Sequence, residues 1–242
     1  MSTLRRIFAV AIALTFGATP AHAQLLHRFD FSNGLTDLGN TASSGSLYAG
    51  ATVSGGVLNL NGLTSYVEFT SLLIPQSGPY SVMFLAESAP GNNTGLSEII
   101  SQGQSGSALY MGTYNGGLRL GDQWPGPTGT FLSDNAFHHY ALTNDGTLDR
   151  FYIDGDLIAS HAATWTSSGW FTRLGRQYYP HDEYYNGQVD EVRIYGSALS
   201  ETEIEAAISG EDLNATPEPS SVVLLATGFA GLCVAVRRRT QQ

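Results

Sequence analysis

The sequence predicts an all-β protein built as a sandwich of two antiparallel sheets. Three observations carry this. Short alternating runs are broken by glycine and asparagine roughly every 8 to 12 residues, the spacing of strands and turns. A single stretch between the two termini has both helical start and stop signals. With the termini set aside, about 190 residues remain, enough for one domain that buries about 70% of its unfolded surface.

The elements follow in order. Leu25 to Phe31 reads as the first strand, then Val57 to Leu60 and Tyr66 to Phe69. Tyr80 to Ala86, Glu98 to Ser101, Ala108 to Thr113 and Gly117 to Leu120 come next, then His138 to Asn144 and Arg150 to Ile153. Asp154-Gly155 makes a tight turn into Asp156 to His161. Gln188 to Tyr195 is the last strand. Alternation places Val192 and Ile194 on one face, with Glu191, Arg193 and Tyr195 on the other, where Glu191 and Arg193 form a surface pair worth little. Leu199 to Ser209 is the helix: Ser200 and Glu203 form a capping box, Ile204 and Ile208 share a face, and Gly210 ends it.

Both termini read as addresses. Arg5 and Arg6, the apolar run from Ile7 to Gly17, and Ala21-His22-Ala23 form a secretory signal over residues 1–23, with cleavage expected after Ala23. Pro219 to Val236 carries no charge and would extend about 27 Å as a helix, marginal for a bilayer core of ~30 Å. Arg237, Arg238 and Arg239 follow at once and would stay on the cytoplasmic side, holding the domain outside. Pro217-Glu218-Pro219, the apolar span and the arginine cluster, in that order, resemble the PEP-CTERM sorting signal of Gram-negative bacteria that make extracellular polysaccharide. The resemblance implies that an exosortase recognises residues 214–242, cuts near Pro217 to Pro219 and delivers the domain to the cell surface or matrix, after transient membrane anchoring.

The only cysteine, Cys233, lies in that tail, so the domain depends on its core, and on any metal it binds, rather than on disulfides. Between Gln24 and Glu218 six arginines face 21 acidic residues, a formal charge of −15, and the chain contains no lysine. Such a surface argues against nucleic acid, whose binding requires basic residues to displace counterions, and against anionic membrane surfaces. It suits neutral glycans or calcium, or serves solubility alone.

Four segments of residues 24–213 resemble the LamG-like jelly roll of the concanavalin A-like lectin and glucanase group. They are Leu26 to Phe31 with Asp37; Gly55 to Gly62 with Tyr66-Val67; Phe137 to Thr143 through Phe151 to Gly155, where Phe137 replaces the usual tryptophan; and Tyr185 to Tyr195 with Ala198 to Ile204. The resemblance implies a two-sheet antiparallel jelly roll. It also implies a structural Ca²⁺ between the first and last strands, with Asp30 and Asp190 as ligands and carbonyls near Gly187 assisting. The alternative is that Asp30 caps a turn and Asp190 ends a strand.

A glycosidase needs two carboxylates about 5 to 9 Å apart across a sugar. The Glu-x-Asp-x-x-Glu run of the jelly-roll glucanases does not occur, and Glu98 stands alone in sequence. Neither a Gly-x-Ser-x-Gly elbow nor a His-Glu-x-x-His helix is present. His138 and His139 are strand neighbours that point to opposite faces, so they are poorly placed to share a metal. Sugar binding needs aromatic platforms. Tyr178, Tyr179, Tyr184 and Tyr185 crowd the loop before the last strand and Trp124 lies in another loop, placed either to stack on sugars or to close the sandwich ends. The reading that follows is a secreted or cell-surface, non-catalytic carbohydrate-binding or adhesion protein of the extracellular polysaccharide matrix. The alternatives are a structural matrix spacer without a glycan site, and a divergent glycoside hydrolase.

Overall fold

The computed structural model describes residues 23–104, 107–120, 131–163, 170–177, 181–211 and 213. Residues 1–22 of the signal peptide, the sorting tail with Pro217, Glu218, Pro219 and Arg237 to Arg239, and the loop residues Trp124, Tyr178 and Tyr179 lie outside the described residues. No helix among the described residues is long and apolar enough to cross a membrane.

The chain folds as two antiparallel sheets. The first contains β1 (Leu25–Phe29), β3 (Thr52–Ser54), β4 (Val57–Asn61), β6 (Tyr80–Glu87), β10 (His138–Asn144), β11 (Leu148–Ile153), β12 (Asp156–Ala162) and β14 (Asn186–Tyr195). Its order is β12-β11-β10-β6-β14-β4-β3, with β1 also paired to β14. The second runs β2 (Gly45–Tyr48), β5 (Tyr66–Phe69), β13 (Thr172–Leu174), β7 (Ser97–Gln104), β8 (Ser107–Tyr114) and β9 (Gly117–Leu120). Every strand expected from the alternation is present within a few residues of its predicted bounds. The strands missing from the sequence reading are β2, β3 and β13. They are three or four residues long, too short for alternation to register, and exist because a neighbouring strand pairs with them.

One core fills the space between the sheets. Phe29, Leu58, Val82, Phe84, Tyr140, Leu142, Val189, Val192 and Ile194 from the first sheet meet Val67, Phe69, Ile100, Leu109, Met111 and Leu174 from the second. Phe29 and Phe69 pack with ring centroids 4.8 Å apart, joining the first strand to the opposite sheet.

A second apolar layer lies on the outside of the first sheet. Helix α1 (Glu201–Ile208) starts at its Ser200–Glu203 capping box and lays Ile204 and Ala207 over Met83, Ala141, Tyr152 and Tyr195. Tyr195 is therefore on the predicted outer face but buried beneath the helix. The last turn of α1 holds no basic residue, so no side chain of the helix itself offsets the negative end of its dipole. Arg193 of β14 does so, donating Nη1–H to the Ala207 carbonyl at 2.5 Å. The expected surface pair of Glu191 and Arg193 is thus larger than an isolated surface contact. Glu191 also receives Arg28 of β1 through Nε and Nη2 at 3.1 and 2.8 Å, which ties strand, strand and helix together. A bulge between Asp190 and Arg193, with Glu191 at φ +47°, turns these side chains to their partners.

Candidate functional site

The outer face of the second sheet carries side chains that its alternation turns away from the core. On β5, Val67 and Phe69 point inward, so Tyr66 and Glu68 point outward. Across the ladder Tyr48 of β2 stands opposite Tyr66, and the two rings stack 4.7 Å apart at 7°. Arg173 of β13 is opposite Glu68 and donates Nε–H to its carboxylate at 2.8 Å. Just beyond β13, Gly175 at φ +86° turns the chain, and Arg176 lays its guanidinium 4.6 Å from the Tyr66 ring and 5.2 Å from the Tyr184 ring. A row of Tyr48, Tyr66, Arg176 and Tyr184 results. Its outermost member, Tyr48, is 40% exposed.

Tyr184 also forms one wall of a polar cleft of about 310 Å³ at the rim of the sandwich. Asn92, Asn93, Ser97, Asp182 and Asn186 line it, with Gly62, Gly91 and Gly95 among the backbone-lined parts. Asn93 holds the two sides together. Its Oδ1 accepts the Asn186 N–H at 2.8 Å, and its Nδ2–H group donates to the Asn186 carbonyl at 2.9 Å and the Ser88 hydroxyl at 2.7 Å. At Gly62 (φ +69°) a Cβ would meet the Asn186 Cβ at 2.5 Å, so only glycine lets the 182–186 segment come this close.

Beside the cleft, two carboxylates converge. The Arg119 guanidinium of β9 bridges fully buried Glu98 of β7 and Glu183, the latter at 2.9 Å. Burial pulls the Arg119 pKa down, but the two carboxylates outweigh it and raise the value above its usual one. Glu98, alone in sequence, thus has partners brought to it by sheet pairing and by its backbone N–H bond to the Glu183 carbonyl.

The tyrosine cluster divides between the two environments. Tyr184 is half-buried on the cleft wall, whereas Tyr185 is fully buried, with its hydroxyl donating to the Glu87 carbonyl at 3.0 Å. Tyr185 is therefore a core residue and not a sugar platform. Its backbone is extended between Gly62 and Gly175, so neighbouring side chains must point opposite ways. Sequence reasoning missed Tyr48, Asn92, Asn93 and the outward-facing setting of Tyr66. The signal available was the outward phase of Tyr66 beside inward Val67; nothing in the sequence pairs it with Tyr48.

Asp30 and Asp190 do come close to each other, where β1 meets β14. Burial, together with the neighbouring Glu191 and Asp30 charges, pushes the Asp190 carboxyl up to about 6 against the hydrogen bond it accepts from the Glu191 N–H. One Asp30 oxygen accepts from Ser32 N–H and Oγ–H, which is the turn-capping role. Ca²⁺ takes six to eight oxygens. The two carboxylates fit the start of such a set, and among the described residues no group of three His, Cys, Asp or Glu side chains extends it. His138, by contrast, is held by Asp154 at 2.7 Å and Asp134 at 3.2 Å, a bridge that pins the Asp154-Gly155 turn.

Several solved structures share this fold. Domain 4 of AbnA, a GH43 extracellular arabinanase from Geobacillus stearothermophilus solved with arabinotriose, matches at TM-score 0.62 and 20% identity over 76% of this chain and 98% of that domain. The binding domain of Paraclostridial Mosquitocidal Protein 1 matches at 0.62 and 14%, over 77% of this chain and 52% of that one. The receptor binding domain of botulinum neurotoxin C/D mosaic serotype matches at 0.61 and 15%, over 77% and 51%. The chain thus spans about half of each toxin domain. At these identities the likeness establishes the fold. Among curated protein sequences none matches. Residues 215–239 match the PEP-CTERM protein-sorting motif, which marks the chain for exosortase-type sorting to the cell surface or exterior of a Gram-negative bacterium. Residues 60–205, more than half of the chain, match the family model, and the protein belongs to the concanavalin A-like lectin/glucanases superfamily.

Proposed function

We propose that this protein is a non-catalytic carbohydrate-binding or adhesion protein of the extracellular polysaccharide matrix, and that the cleft beside Tyr184 is its sugar subsite. The observation that carries the reading is the convergence of one half-buried tyrosine ring with three asparagines and Asp182 on a single cleft. A ring face stacks on the apolar face of a pyranose or furanose, while amides and a carboxylate take the hydroxyls. The arabinotriose-bound neighbour supports an oligosaccharide of neutral sugars as one ligand to try. The carboxylate pair of Glu98 and Glu183 supports binding over hydrolysis. Both are held by Arg119, and Glu98 is out of reach of a substrate, whereas a glycosidase needs one free acid and one free nucleophile or base. Exosortase cleavage near Pro217 to Pro219 then releases a domain that was anchored transiently in the membrane.

The test is a glycan array with the full-length chain in mild detergent, run in calcium and in chelator. Tyr184→Ala is expected to weaken the best glycan at least about tenfold, on the scale of about 1–3 kcal/mol that a base stacked on an aromatic side chain contributes. Binding to no glycan in either buffer would leave the domain as a structural matrix spacer.

A second reading rests on Asp190. We propose that Asp30 and Asp190 hold a structural Ca²⁺, with carbonyls near Gly187 completing its shell, because mutual repulsion and burial are what a cation relieves there. A carboxyl raised in the folded state destabilises it once ionised. The penalty is absent below about pH 4, the ordinary carboxyl range, and complete above about pH 6. Asp190→Asn is therefore expected to stabilise the calcium-free protein at pH 7.5 by about 1 to 2 kcal/mol, discounted for a half-exposed group, with no gain near pH 4. Calcium should raise the wild-type melting temperature and leave Asp190→Asn unmoved. Equal melting in calcium and chelator sinks the metal reading.

A further inference from the structure

Of the six arginines in the domain, five have a carboxylate partner: Arg28 with Glu191, Arg119 with Glu98 and Glu183, Arg150 with Asp145, Arg173 with Glu68, and Arg193 with Glu191. Arg176 has none among the described residues. It is also 7% exposed, and its Nη2 is buried without a hydrogen-bond acceptor. A buried cation with no counter-charge is costly, and a buried N–H without an acceptor adds to the cost. In a domain this acidic, evolution had a wide choice of internal carboxylates to place beside it.

The rest of its surroundings fix the guanidinium in one pose. Nε–H donates to the Gln177 carbonyl at 2.8 Å, and Ser101 Oγ–H donates to the Arg176 carbonyl at 2.7 Å. Tyr66 and Tyr184 hold the planar group between their rings. Tyr184 is at once a cover on this guanidinium and a wall of the polar cleft. Arg176 is not itself on the cleft's lining, so an anion in the cleft reaches Nη2 only if that half-buried ring turns aside. Nearby, Arg173 Nη1 is a second buried donor without an acceptor.

We infer that Arg176 is the counter-ion for an anionic group on the cleft's ligand, so that the glycan is an acidic polysaccharide bearing uronate carboxylates or sulfate esters. This rests on the carbohydrate-binding reading of the same cleft and adds the ligand's charge to it. A preorganised guanidinium binds planar or multidentate oxyanions with charge-assisted hydrogen bonds. The net negative charge of the domain opposes approach. That long-range field is screened over about 8 Å at physiological ionic strength, so contact at Arg176 decides the preference. Asp182, on the same cleft, would take sugar hydroxyls and keep the anion to the Arg176 side.

The experiment uses the full-length chain and four immobilised polymers: polygalacturonate, its methyl ester, a sulfated galactan and neutral arabinan. The wild type should bind polygalacturonate or the sulfated galactan at least about tenfold more tightly than the methyl ester and arabinan. Preference for one of the first two identifies the anion as carboxylate or sulfate. Arg176→Gln should erase the preference for the acidic polymers, and Arg176→Lys should restore part of it. Thermal unfolding supplies a readout that needs no glycan. A site residue holding an uncompensated charge should leave Arg176→Gln at least as stable as wild type, whereas a residue of purely structural value would lower the melting temperature. Neutral glycans bound as tightly as acidic ones, or a preference surviving in Arg176→Gln, overturns this inference alone. Binding to none of the four overturns the carbohydrate reading together with it.

Discussion

Arg119→Met is expected to destabilise the domain by about 3 to 5 kcal/mol, the cost of removing one partner from a buried ion pair. Glu98 is fully buried on β7, and the Arg119 guanidinium neutralises it while also holding Glu183. Methionine fills much of the same space without charge, so the loss reports electrostatics more than packing. In a domain of this size the melting temperature should fall by roughly 10 °C. A further measurement identifies the cause. The double variant Glu98→Leu with Arg119→Met should recover most of the stability, since apolar groups commonly replace a buried pair at little cost. Glu183 keeps access to water and tolerates the change. A loss below about 1 kcal/mol in urea unfolding would show that the triad is not the anchor of this face.

Asn93→Ala is expected to cost about 3 kcal/mol and, under the proposed glycan-binding function, to weaken glycan binding with it. Asn93 sits at φ +54° and its amide bonds both the N–H and the carbonyl of Asn186. Losing these bonds costs about 1 kcal/mol or more each, and alanine in the left-handed region adds about 1 kcal/mol. Asn93→Gly removes the amide but not the backbone freedom. The glycine variant should therefore be about 1 kcal/mol more stable than the alanine variant, and both should bind glycan poorly because the 182–186 wall is released. Equal stability of the two variants would argue against backbone strain at this position. Binding unchanged in both would argue that the cleft wall is held by other contacts.

Much of this architecture is legible in the chain itself. The period-two alternation from Tyr66 to Phe69 specifies a strand because each side chain's face follows from its position alone. The capping box at Ser200 and Glu203 specifies the helix start because its bonds lie within four residues. Opposite fates for Tyr184 and Tyr185 follow from the same alternation, yet the sequence reading grouped them as one loop cluster. Once their backbone is seen as extended, one ring must enter the core.

What the sequence determined by itself was local: strand phase, turn positions, the helix cap, the charge balance and the sorting motif, each encoded in residues near one another along the chain. Tertiary structure alone decided which distant residues meet. The stack of Tyr48, Tyr66, Arg176 and Tyr184, the convergence of Glu98 and Glu183 on Arg119, and the Asn93 clasp on Asn186 join segments up to 136 residues apart. Such contacts depend on strand order and register. These are set by the whole core and by short strands such as β2 and β13, which have no signature until a neighbour pairs with them.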